Sequence, residues 1–427
     1  MKEDFLYYVW KYHLYSTSLL KTVQGDAIEI IKSGRRNNSS GPDFLEAQIK
    51  IETISWVGNV EIHVKSSDWN RHKHQYDKAY NNVVLHVVFE HDLIIRNERG
   101  EVIPTLVLKD KIQSHIWKNY QNFLQTHCDF IPCEKNIIHF ENTLIKNHFK
   151  TRLLIERFEE KTQLIEKKLQ QTQFNWEAVL FIFLTKYFGT KINREAMELV
   201  GSSFDFAVLK KCGHKKEQLE ALLFGQAGFL ENPIEDTYFN QLQSEYRFLQ
   251  SKFELQPCKS SIFKFYGVRP PNYITIRLAQ LASLYHEYHN LFSFLMKIKS
   301  VKNIYPLFDI KVDKYWETHY HFGKKTIRSS KRKLSESFID LIVINAILPI
   351  QYCYQKQRGK HDIEIIEKIL CEIKAENNTI IKNFGKLKLQ SHNAWDSQAL
   401  IQLKTKYCNQ KKCLNCEIGN KLLQRKN

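Results

Sequence analysis

The chain has 427 residues, 43% hydrophobic and 13% aromatic, with only 15 glycines and 9 prolines, which excludes a disordered or linker-like protein and leaves room for more than one core. The net charge is +17, yet residues 1–110 hold 14 basic against 15 acidic residues, so the excess lies wholly in 111–427, with 49 against 31. Such a basic second part suits a polyanion such as nucleic acid, and equally suits a merely well-solvated surface. The opening Met1-Lys-Glu-Asp-Phe5 has no basic n-region. The longest apolar runs, 178–184 and 341–344, are far short of the roughly 18 residues of a membrane span. Nine unevenly spread cysteines do not form a secreted disulfide framework. A cytoplasmic protein without a membrane segment is expected.

In chain order, Phe5–Tyr15 reads as a short amphipathic helix capped by Asp4, and Ala27–Ile31 as a first strand. A breaker-rich turn, Ser33 to Pro42, leads to a half-buried strand in which Leu45, Ala47, Ile49 and Ile51 alternate with polar residues. Val57-Gly58 is expected to break the run before a third strand, Val60 to Lys65. A short helix at Asp77–Tyr80, an almost wholly apolar central strand at Asn82–Phe89 and a fifth strand at Val102–Leu108 complete residues 1–112.

Period two places Glu61, His63 and Lys65 on one face of the third strand, opposite Val60, Ile62 and Val64. Asp43 precedes the neighbouring strand and can approach that face from its end. Two carboxylates converging beside a basic group form a site for Mg²⁺ or Mn²⁺ and a phosphate. The order of elements, with Pro42-Asp43 and then Glu61-Ile62-His63, resembles the PD-(D/E)XK nuclease superfamily. That resemblance implies an α+β, restriction-endonuclease-like domain with a mixed sheet. It also implies metal ligation by Asp43 and Glu61. His63 stands where that pattern has a lysine, and Lys65 is the nearest substitute. The plain alternative is a solvated sheet face that carries these side chains for no chemical reason.

A second cluster, Asp68 to Asp77, holds Arg71, His72 and His74 as candidate phosphate contacts. His72, His74 and Asp77 also form an alternative metal set for a small phosphoester. They may equally be read as a loop that hydrogen-bonds locally. His86 sits inside an apolar run and reads as a core histidine.

Residues 113–427 read as a larger all-α domain. Apolar spacing predicts helices over 141–171, 217–229, 238–253, 274–297, 335–352 and 362–375. Between Lys311 and Lys333, Tyr315, Trp316, Tyr320 and Phe322 interleave with Lys324, Lys325, Arg328 and Arg332, a pattern that suits phosphates and stacked bases. A buried aromatic helix followed by a solvated basic loop has the same composition. The tail spaces Cys408, Cys413 and Cys416 for zinc or an iron–sulfur cluster, with Cys353, Cys371 or His392 as a fourth ligand. Cys128 and Cys133, beside His127, form a weaker pair. Three small hydrophobes in a terminal helix are the plain alternative.

Over its whole length the chain also resembles an uncharacterised bacterial protein family. The shared stretches are 38–44, 58–63, 67–69, 218–226, 276–280 and the cysteine-rich tail. That resemblance carries no activity. The sequence thus leads to a metal-dependent nuclease-like enzyme. Two alternatives stand beside it: a non-catalytic nucleic-acid-binding or assembly protein with a degenerate site, and a metal hydrolase of a small phosphoester.

Overall fold

A computed structural model of the chain describes residues 1–37, 39–125, 130–137, 147–360 and 363–425. An N-terminal region built on a mixed sheet is followed by a mostly helical region. Two compact units divide the chain. The first is Met1–Lys146 with Lys386–Lys388 and Leu403–Asn427; the second is Asn147–Gly385 with Leu389–Gln402. The first unit therefore runs past residue 112 and takes back the cysteine-rich tail, which the sequence had grouped with the helices.

In the first unit, helix α1 (Glu3–Lys11) starts earlier than Asp4 capping implies. Lys2 is its N-cap, and Glu3 and Asp4 instead face the positive end of the helix dipole in the first turn. The sheet runs β1 (Ile28–Lys32), β3 (Phe44–Ile51), β4 (Ile54–Lys65), β5 (Val83–Glu90) and β6 (Thr105–Val107), with β2 (Arg35–Arg36) paired to β3. The pairs β1–β3 and β3–β4 are antiparallel, whereas β4–β5 and β5–β6 are parallel. The β3–β4 turn falls at Glu52-Thr53, because Ile51 pairs with Ile54. Val57-Gly58 does not end a strand. Instead, a Cβ at Gly58 would meet Val84 Cγ1 at 2.4 Å and the Asn82 carbonyl at 2.7 Å, so glycine there lets β5 begin close alongside β4. The crossover from β4 to β5 is short: helix α2 (Asp68–Arg71) and two single 3₁₀ turns, His74–Tyr76 and Lys78–Tyr80. Helices α3 (Ser114–Gln125) and α4 (Glu134–Ile137) follow.

The second unit has one hydrophobic core. It draws Leu154 and Phe158 from helix Asn147–Gln171, Phe181 and Leu184 from Trp176–Phe188, and Phe224, Leu281 and Ile347 from later helices. Most of the expected helices are there, with residues 141–146 and Asp362 outside the described residues. The expected 274–297 helix ends at Glu287 and resumes as Leu291–Leu295. One helix, Glu336–Gln357, is long and apolar enough by length and composition to cross a membrane, but 72% of its most apolar window is buried inside the protein. It widens to a π turn over Val343–Ile347, just before Pro349, where the proline lacks an N–H to continue the ladder.

Candidate functional site

β4 lies between two strands, and both of its faces are covered. Val60 and Ile62 are buried on one side, and Glu61 and His63 on the other, at 5% and 1% exposure. The solvated-face alternative is thereby excluded. The crossover supplies the cover: Trp69 and Tyr80 pack with Val83, Ile95 and Ile103 into a small apolar cluster over this end of the sheet. Lys65, third on the same face, emerges exposed at the end of the strand.

Asp43 and Glu61 do come together, across the start of the β3–β4 hairpin. Each carboxylate accepts a backbone N–H belonging to the other's segment. The Asp43 N–H donates to Glu61 Oε2 at 3.0 Å, and the Ile62 N–H donates to Asp43 Oδ2 at 3.0 Å. Asp43 Oδ1 is held by the Arg36 guanidinium at 2.7 Å, and Arg36 in turn stacks over Tyr7, 3.9 Å from the ring centre. Both Asp43 oxygens are therefore committed. The expected two-carboxylate Mg²⁺ site is not the arrangement present, and Asp43 serves to close the hairpin and position Glu61.

Glu61 Oε1 faces elsewhere. It stands 3.4 Å from His63 Nε2 and 3.3 Å from His74 Nε2. His63 Nε2 is also 3.1 Å from His72 Nδ1. The three imidazoles offer ligand atoms that all lie within 4.8 Å of one another. His74 Nε2 is buried and makes no hydrogen bond, while its ring is stacked on Tyr80 at 3.8 Å. Donor atoms around a tetrahedral zinc with bonds of about 2.0–2.1 Å stand about 3.3–3.4 Å apart. The separations found here, 3.1–3.4 Å, match the edges of that tetrahedron.

The electrostatics agree with lone pairs aimed at a common point. Burial, and then the neighbouring His86, His74 and His72, push His63 down to about 2, so its ring is neutral at physiological pH. Burial also lowers His74. Burial and the adjacent Asp43 push Glu61 up to about 9. His63 Nδ1 lies 2.8 Å from His86 Nε2, on the neighbouring parallel strand where His86 pairs with Glu61. With the proton on Nδ1 donated to His86, His63 presents Nε2 as an acceptor toward the cluster. His86 is fully buried, but its Nδ1 has no partner. It acts as a support for His63 as well as a core residue.

The cluster opens to solvent through His72, which with Met1, Lys2, Glu3, Lys65 and Arg71 lines a cleft of about 630 Å³. Arg71 is exposed and paired with Asp68 at 3.0 Å. Asp77 does not join the histidines: it caps the 3₁₀ turn Lys78–Tyr80 by accepting the Ala79 N–H at 2.9 Å. Its expected place is taken by His63 and Glu61. The spacing His72-x-His74 was a usable signal for this site. Nothing in the sequence shows that a strand histidine and a loop pair share one point.

The second expected interface is altered. Lys324, Lys325 and Arg328 are exposed, on and just after the hairpin made by His319–His321 and Lys324–Lys325. Arg332 is only 7% exposed, donates to the Trp316 carbonyl and the Tyr320 hydroxyl, both at 2.7 Å, and is no phosphate contact. Trp316 is fully buried, and Tyr315 stacks on both Tyr238 and His319, so these rings are not platforms for bases. Cys353, Cys371 and His392 belong to the second unit, whereas Cys408, Cys413 and Cys416 belong to the first. His127 and Cys128 lie outside the described residues.

Searches of curated proteins and of solved structures found no match. The profile of one family, described as Protein of unknown function (DUF2851), matches residues 3–379. The chain belongs to that family.

Proposed function

We propose that the protein is a metal-dependent hydrolase of phosphoesters, with nucleic-acid phosphodiesters as its substrate class. The observation that carries this reading is the convergence of His63 Nε2, His72 Nδ1 and His74 Nε2 beside Glu61 Oε1, at tetrahedral spacing and without a cation among them. Three imidazoles select a borderline metal such as Zn²⁺ or Mn²⁺ over Mg²⁺, which prefers oxygen ligands. When bound, the metal supplies Lewis acidity and a water acidic enough to ionise near neutral pH. Glu61 is placed to take that proton, because its free oxygen faces the same point as the histidines. His86 keeps the His63 ring oriented, and Arg36 with Asp43 keeps Glu61 in place. Lys2, Lys65 and Arg71 at the cleft mouth offer cationic contacts to a phosphate. The antiparallel β3–β4 hairpin followed by parallel β5 and β6 also supports the nuclease-superfamily resemblance, with the metal duty moved from two carboxylates to a histidine set.

A non-catalytic reading draws on one observation, the commitment of both Asp43 oxygens to Arg36 and Ile62. One experiment separates the two. The purified chain is assayed on single- and double-stranded DNA and RNA, and on a bis-aryl phosphodiester, with Zn²⁺, Mn²⁺ and Mg²⁺. The enzyme reading expects cleavage with Zn²⁺ or Mn²⁺ that disappears in His72→Ala/His74→Ala. Nucleic-acid binding without cleavage in any metal would leave the binding protein as the surviving reading.

A further inference from the structure

The tail folds into a compact knuckle. Cys408 ends the irregular helix Leu403–Cys408, Cys413 opens the turn Cys413–Asn415, and Cys416 is the N-cap of the C-terminal helix Glu417–Gln424. The turns are closed by backbone bonds: Lys411 N–H to Cys408 O at 3.1 Å, Cys416 N–H to Cys413 O at 3.2 Å and Asn420 N–H to Cys416 O at 2.8 Å. The knuckle is tight enough that a Cβ at Gly419 would lie 2.1 Å from the Cys413 carbonyl oxygen.

Another stretch of the same unit meets it. Lys404 donates to the Phe130 carbonyl at 2.8 Å and sits 4.8 Å from the centre of the Phe130 ring. Three residues on, Cys133 closes the start of α4, its carbonyl accepting the Asn136 and Ile137 N–H groups at 3.0 and 2.9 Å. The Cys133 thiol is held far above its ordinary range by burial and by the thiols of Cys408, Cys416 and Cys413, all within electrostatic reach. The Cys408 thiol is raised by burial and by Cys416 and Cys413, and opposed by Lys404. Four sulfurs from two distant stretches therefore share one neighbourhood.

We propose that Cys133, Cys408, Cys413 and Cys416 form a four-thiolate metal centre that fastens the 130–137 segment to the tail. Cys133, not one of the cysteines of the second unit, is the fourth ligand. For zinc, each thiol gives its proton to solvent as its sulfur bonds the metal, and a Zn²⁺ with four thiolates carries net charge −2. The tail supplies the countercharge: Lys404, Lys406, Lys411, Lys412 and Lys421 stand in it against Glu417. The same thiolates would hold an iron–sulfur cluster, and the two are told apart by colour.

The test uses the full chain carrying His72→Ala/His74→Ala, so that the histidine cluster contributes no metal. After reconstitution under reducing conditions, with Zn²⁺ alone or with iron and sulfide, metal is counted by mass spectrometry and visible absorption is recorded. The expected result is one centre per chain: colourless with zinc, or brown with an iron–sulfur cluster. It is lost in Cys133→Ser and in Cys408→Ser/Cys413→Ser, and kept in Cys371→Ser. A second measurement covers variants that fail to fold: titrating the zinc-loaded chain with a mercurial should release zinc in step with four thiols. A chain that holds no metal in either reconstitution, or a Cys133→Ser variant that holds as much as its parent, overturns the assignment. Neither result bears on the hydrolase reading, whose ligands are already removed.

Discussion

The cluster beside β4 and the basic aromatic stretch of the second unit both bury polar side chains, and they do so in opposite ways. In the second unit the donors are dispersed. Arg277, 4% exposed, reaches Gln280 Oε1 at 2.8 Å and Asn272 Oδ1 at 2.5 Å, and Gln280 passes its own amide N–H to the Arg332 carbonyl at 2.6 Å. Arg332 then reaches Trp316 and Tyr320. Each cation is neutralised piecemeal by carbonyls and amides, which builds a scaffold with no shared focus. Beside β4 the acceptors converge instead, and His74 Nε2 has no hydrogen bond at all. Buried polar atoms that disperse onto partners stabilise a fold; those that converge without one call for a ligand.

The largest expected effect breaks the convergent side. His72→Ala/His74→Ala should abolish tight metal binding and lower phosphodiester hydrolysis by at least about 100-fold, since even outer supports of a metal site cost about 10–100-fold. Metal stoichiometry and initial rates measure it, with thermal unfolding as a control that the fold survives. If metal binding is unchanged, convergence has no meaning here. On the dispersed side, Trp316→Ala should destabilise the second unit by about 3–5 kcal/mol in urea. Trp316 is fully buried, stacks on Phe224 at 5.1 Å and donates to the Tyr238 hydroxyl at 3.1 Å. Metal binding should not change, so a joint loss would blur the contrast.

Glu220 provides a pH-dependent test of the scaffold. Burial lifts its carboxyl from 4.5 to about 7, against the opposing hydrogen bond from Tyr238, and Oε1 has no partner. A raised carboxyl binds its proton more tightly when folded. Its stabilisation is fully present below pH 4.5 and is lost as pH rises through about 7. Relative to wild type, Glu220→Gln should therefore gain about 3 kcal/mol between pH 4.5 and pH 8, read as urea midpoints. A flat difference would mean that the carboxyl is solvated in the folded state. The smallest effect is expected on the exposed hairpin. Lys324→Ala/Lys325→Ala should change stability by less than about 0.5 kcal/mol. If the hairpin touches nucleic acid, the pair should lower the salt slope of binding by roughly 0.9 per charge for duplex DNA.

Much of the fold was legible because its signals are local. Alternation over 44–51 and 60–65, the apolar run of β5 and the helical spacing after residue 147 each need only a few neighbouring residues to read. Gly58 misled for the same reason: alone it reads as a break, and only the approach of Val84 and Asn82 explains it. Arg332 misled because charge implies exposure unless the acceptors around it are known.

Sequence alone determined that Glu61 and His63 share a face of one strand, that Asp43 precedes the partner strand, and that the positive charge lies beyond residue 110. Period two and composition are properties of contiguous chain. Only the tertiary structure decided that this face is buried, that Asp43 is spent on Arg36 and Ile62, and that His72 and His74 fold back to meet His63. It alone gathered the tail with Cys133. Which lone pairs point at one another depends on how segments distant in the chain are packed, and no local pattern encodes that.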